Sequence, residues 1–105
     1  MLDTTPLTTA VDRFAARLRS APQSRLQRGA AAEALATARE LAVRAQRIER
    51  PGAEPQVMPD AGVFTVGDQL AVAGRDLAVA LVTAPSVELD EAVRYVDEAA
   101  VRAFA

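Results

Sequence analysis

The sequence predicts an all-α fold, a single bundle-like domain of four helices, and three observations carry that prediction. Alanine makes up 24 of the 105 residues, and alanine is the strongest helix former. Apolar residues recur at three- and four-residue spacing in four separate stretches, the period of an amphipathic helix. Proline falls at the edges of those stretches or between them, at positions 6, 22, 51, 55, 59 and 85. A chain of this length can bury one core without disulfide or metal staples.

The first helix is expected over about 6–20. Thr5 stands as its N-cap, and Pro6 suits the first helical turn, where a missing N–H costs nothing. Leu7, Val11, Phe14 and Leu18 form one narrow apolar stripe. Ala21-Pro22 ends the helix, because a residue before proline avoids the α region. The second helix is expected over about 24–50, opened by a capping box at Ser24 and Gln27. Leu26, Ala30, Ala34, Ala38, Leu41, Ala45 and Ile48 share its inner face. Gly29 is its weak point, where a kink or a later start is expected, and Arg50-Pro51-Gly52 stops it.

Residues 51–64 are an irregular Pro/Gly connector that carries Val57, Met58, Val63 and Phe64. The sequence reads as a strap within one domain, with those four side chains covering an end of the bundle. The third helix is expected over about 65–83. Val66, Leu70, Ala73, Leu77, Ala80 and Leu81 form its main face, and Val72, Val79 and Val82 a second apolar face. Val, Phe and Thr around a Gly-Asp pair leave an alternative, an α+β fold with a hairpin in 62–82. The fourth helix is expected over about 86–104, with Ser86 as N-cap and Glu88, Asp90 and Glu91 in the first turns. Leu89, Val93, Val96, Ala100 and Phe104 mark its inner face. Short breaks at 21–23 and 84–86 suggest that each half is a pair of antiparallel neighbours.

Composition removes several chemistries. The chain has no histidine, cysteine or lysine. That leaves no imidazole base, no thiolate and no Schiff-base amine. Carboxylates such as Asp68, Asp76, Asp90, Glu91 and Glu98 are the remaining acid/base groups, and those on the fourth helix point to solvent. The sequence therefore predicts no enzyme, no cofactor and no metal. Arginine-only basic usage is that of a GC-rich genome. The N-terminal stretch lacks a basic and an apolar signal region, and the most apolar window is too short and too charged to span a bilayer. A cytoplasmic protein without membrane contact is expected.

The net charge of −2 conceals an asymmetry: residues 1–50 carry +4 and residues 51–105 carry −6. Opposed charge faces can set helix order or orient a dimer. Arg17, Arg25 and Arg28 lie in the arginine-rich junction of the first two helices. That junction raises a nucleic-acid reading, against which stand the acidic balance and the lack of aromatics among the arginines. The leading expectation is a non-enzymatic protein–protein interaction or adaptor module that self-associates as a dimer. An alanine-rich core buries little area per residue, which favours help from a second chain. The candidate contact residues are Arg17, Arg25, Arg28, Met58, Phe64, Val72 and Val79. The alternatives are a small-molecule sensor with an apolar cavity and, behind it, a nucleic-acid-binding module.

Overall fold

The computed structural model describes residues 1–105, with four long helices and no strand. α1 spans Thr5–Ser20, α2 Ala31–Glu49, α3 Val66–Ala80 and α4 Ser86–Ala103. The predicted stripe of α1 is its buried face: Leu7, Val11, Phe14 and Leu18 are all within 2 % of full burial. Its start differs from expectation. Thr4 holds the N-cap position, and the Thr5 N–H donates to Asp3 Oδ1 at 3.0 Å. The Asp3 carboxylate thus satisfies one of the free N–H groups at the helix start, and these bonds to Thr5 hold its carboxyl below the ordinary 3.8.

The second predicted helix is divided. A short turn at Gln23–Arg25 leads into a kink within Leu26–Ala30, as expected at Gly29, which adopts the non-helical φ of 136°. That value is open to glycine because it lacks a Cβ. The capping box at Ser24 does not form; Pro22 occupies the N-cap position and no side chain caps the turn. Pro85 likewise precedes α4 where Ser86 was expected, and Ser86 is the first helical residue. The hairpin alternative is overturned: residues from Val66 onward are helical and close in a 3₁₀ turn at Leu81–Thr83.

The order of the helices in space also corrects the sequence reading. α1 packs on α3 and α4, and α2 packs on α3 and α4, whereas neither half of the chain forms a neighbouring pair. α1 and α2 lie diagonally, as do α3 and α4. The reason lies in α3, which buries two faces. One carries Leu70, Ala73, Leu77 and Ala80; the other carries Gly67, Ala71, Gly74 and Ala78. An ideal Cβ on Gly74 would lie 2.6 Å from Val11 Cγ1, and one on Gly67 would lie 3.2 Å from Arg19 Cγ. At these two points α3 contributes no side chain of its own and receives those of Val11 and Arg19 directly on its backbone, which seats it close to α1, between α1 and α2.

The contacts Gly74–Val11 and Gly67–Arg19 run in opposite chain directions, so α1 and α3 are antiparallel. Ala31 and Leu35 at the start of α2 share a cleft with Val66, and Ile48 near its end shares one with Leu77 and Leu81, so α2 and α3 are parallel, and that arrangement requires a crossover connection. α2 has 19 residues, about 28 Å at 1.5 Å per residue. The 51–64 stretch can reach about 46 Å when extended, so it returns along the bundle to the start of α3. Arg39 Nε donates to the Met58 carbonyl at 2.8 Å, Gln46 Nε2 to the Gln56 carbonyl at 3.1 Å and Gln69 Nε2 to the Pro59 carbonyl at 2.9 Å. The Gln56 N–H returns a bond to Gln46 Oε1 at 2.7 Å. A proline-broken segment cannot satisfy its own backbone, so polar side chains of α2 and α3 do it.

The inner line of α4 is rotated from the predicted one. Leu89, Ala92, Val96, Ala99 and Ala103 are buried, while Val93, Ala100 and Phe104 are partly buried at its edge. Alanines on the inner line allow a closer approach than the valine-bearing line would. One buried polar side chain escaped the sequence reading: Thr37 is fully buried, and its hydroxyl donates to the Glu33 carbonyl one turn back at 2.8 Å.

Candidate interaction surfaces

The arginines singled out in the sequence divide between internal and external roles. Arg17 lies with its guanidinium carbon 4.0 Å from the centre of the Phe104 ring, and Arg25 lies 5.7 Å from it. Arg25 Nη2 also donates to the Phe104 carbonyl at 2.7 Å. Phe104 packs edge-on against Phe14, with ring centres 6.2 Å apart. Arg17 and Arg25 thus clasp the C-terminal end of α4, where unpaired carbonyls and the helix dipole favour a cation. A guanidinium over an aromatic face at an exposed site contributes about 0.5–1 kcal/mol. Arg28 is exposed and bonds only locally, to the Ser24 carbonyl at 3.3 Å.

The charge halves meet through few ion pairs. Arg19 pairs with Asp68 at 2.7 Å, joining α1 to α3 as the asymmetry suggests. Arg102 pairs with Glu33 at 2.8 Å, joining α4 to α2 with the signs reversed. Arg44 pairs with Glu40 at 2.8 Å within α2. The first of these is largely exposed and contributes little. The extensive contacts between long helices all join the basic half of the chain to the acidic half.

The connector side chains do not act together as a cover. Met58 and Val63 pack against the core, but Val57 and Phe64 are 71 % and 72 % exposed. The connector runs lengthwise rather than across an end, and an extended chain sends successive side chains to opposite sides. Val57 therefore faces out where Met58 faces in. Phe64 sits in the turn that follows Gly62, whose φ is 96°.

The second face of α3 is open. Val72 and Val79 are 55 % and 73 % exposed, and Arg75 and Asp76 beside them are exposed and make no ion pair or hydrogen bond within the chain. The carboxylates elsewhere form no group suited to a metal ion. Tyr95 lies at the edge of α4 with the Arg44 guanidinium 4.7 Å from its ring centre. Partial burial, reinforced by Glu40, holds its phenol above the ordinary 10.0.

Clefts between the helices are open to solvent. One, of about 360 Å³, has Ile48, Leu77, Leu81 and Ala92 among its lining, with Arg47, Glu88 and Glu91 also lining it. Another, of about 440 Å³, is lined by Val57, Met58 and Asp76. The glycine face of α3 was missed in the sequence, although Gly67 and Gly74 stand seven residues apart, a spacing that places two residues on one helix face. No helix is long and apolar enough to cross a membrane. No known protein family, curated protein or solved structure matches the chain.

Proposed function

We propose that this protein is a non-enzymatic helical interaction module that self-associates and presents helix faces to protein partners. The observation that carries the reading is the outer face of α3. That helix is buried on two sides by its own chain, yet it keeps Val72 and Val79 in water. Exposed β-branched apolar residues at seven-residue spacing on a well-anchored helix are what a helix-to-helix contact requires. The alternative of a small-molecule sensor draws on the apolar floor of the cleft at Ile48, Leu77, Leu81 and Ala92. The interaction reading is preferred because the largest core side chains, Phe14, Leu41, Leu70 and Leu77 among them, are fully buried against one another. The nucleic-acid reading is weakened because Arg17 and Arg25 are occupied at Phe104.

Sedimentation velocity over a concentration series tests the proposal. The expected result is a mass that rises from that of one chain, 11.1 kDa, toward twice that value. A mass fixed at one chain up to high micromolar concentration would remove self-association from the proposal.

A further inference from the structure

The charges on the outer face of α3 specify the orientation in which two copies would meet. At about 100° per residue, the exposed arc of α3 is about 100° wide. Val72 and Val79 lie near its middle. Arg75 lies on the edge toward α1, which is the side of Gly67 and Gly74. Asp76 lies on the other edge, toward the connector, where it lines a cleft with Val57. Each charge is about 50° from the valine line, and the two are one residue apart along the axis.

We propose that this face is a two-fold contact between copies of the chain with their α3 helices parallel. The proposal rests on the self-association inferred above and gives it a surface and a direction. A two-fold axis along the helix direction exchanges the two edges. Val72 then meets Val72 of the second copy, and Val79 meets Val79. Arg75 faces Asp76 of the second copy on one edge, and the same pair repeats on the other. An antiparallel two-fold keeps each edge on its own side. It would set Arg75 against Arg75 and Asp76 against Asp76, and like charges in contact disfavour that arrangement. The two side chains that find no partner within the chain are thus paired by one symmetry and opposed by the other. Asp68, on the same arc, already holds Arg19 at 2.7 Å, so its charge is compensated within each copy. A contact built on one helix falls below the roughly 1,200 Å² of a standard interface, so the dimer forms in a concentration-dependent way.

The absence of native cysteine makes disulfide trapping a direct test. Val72→Cys and Val79→Cys are made singly, with Ala36→Cys on the exposed side of α2 as a collision control. Each is oxidised with glutathione disulfide at high micromolar concentration. The expected result is that both α3 variants form linked dimers at least tenfold faster than the control, each with itself. Linking that occurs only in a mixture of the two α3 variants would indicate antiparallel packing and overturn the proposal. Rates no higher than the control would overturn it as well. If native protein still dimerises in sedimentation in that case, self-association stands and a different face carries it. A second measurement follows the charges: Arg75→Asp and Asp76→Arg should each weaken dimerisation, and combining them should restore it. Failure of the combination to restore the dimer would refute the edge pairing.

Discussion

Replacing Gly74 with alanine should destabilise the fold, although intrinsic propensity points the other way. In a helix interior alanine is favoured over glycine by about 1 kcal/mol. Here the new Cβ would lie 2.6 and 2.7 Å from the two Cγ atoms of Val11 and 3.0 Å from its Cβ. Val11 is only 1 % exposed, and its branched side chain has few rotamers with which to retreat. Relief must come from moving α1 away from α3, and overpacking of this kind costs about 1–3 kcal/mol. The two effects leave a net loss of up to about 2 kcal/mol. That corresponds to about 4–8 °C in Tm per kcal/mol for a domain of this size. Urea unfolding followed by far-UV circular dichroism measures it. Val11→Ala alone should cost about 1.5–3 kcal/mol by removing two buried methyl groups. The double variant should be more stable than the sum of the single losses, because the added methyl enters the space vacated. Gly67→Ala is the control. Its nearest neighbour is the flexible Arg19 stem at 3.2 Å, so its effect should stay within about 0.5–1 kcal/mol of neutral. A Gly74→Ala variant more stable than the native chain, or a strictly additive cycle with Val11→Ala, would refute the close-approach argument.

Three further outcomes follow from single positions. Gly29→Ala should destabilise by about 1–2 kcal/mol in the same unfolding assay, because a φ of 136° strains any side chain even though the space there is open. Thr37→Val should remain within about 1 kcal/mol of the native chain. It keeps the buried shape, and the lost hydroxyl bond ends on a carbonyl that the helix ladder already uses; a loss beyond about 2 kcal/mol would show that the hydroxyl matters more. Tyr95 titrates above 10.0 in the fold, chiefly through partial burial. The stability this contributes is fully present below the unfolded phenol's pKa and is lost as pH rises through the folded value. Tyr95→Phe should therefore flatten the alkaline fall in Tm. As the chain's single tyrosine, Tyr95 can be followed by tyrosinate absorbance alone, with a midpoint above that of the urea-unfolded chain.

Where each helix lies could be read from local chemistry. The stripe Leu7, Val11, Phe14 and Leu18 repeats at a helical period, and all four are buried. The Pro/Gly runs mark the breaks because they restrict or release φ. Helix ends were less readable. Thr4, Pro22 and Pro85 take the N-cap positions that Thr5, Ser24 and Ser86 were expected to hold, since a cap depends on the path of the incoming chain as well as on residue type. Among the candidate contact residues, Val72 and Val79 were marked by a second apolar stripe, and both are exposed, while Val82 of that stripe is partly buried in the 3₁₀ turn. Arg17 and Arg25 were marked by local charge density. Their attachment to Phe104 joins residues 87 and 79 positions apart, which no local pattern contains.

Residue order thus specified four amphipathic helices, their breaks and the opposite charge of the two halves, because propensity and hydrophobic period act within a few residues. Packing specified which helices touch. The short turns at 21–22 and 84–85 permitted neighbouring pairs. The glycine face of α3 against Val11 instead placed α3 between α1 and α2, so the basic and acidic halves of the chain interlock. That outcome depends on how closely two backbones can approach, and interhelical distance is set by side chains far apart in sequence.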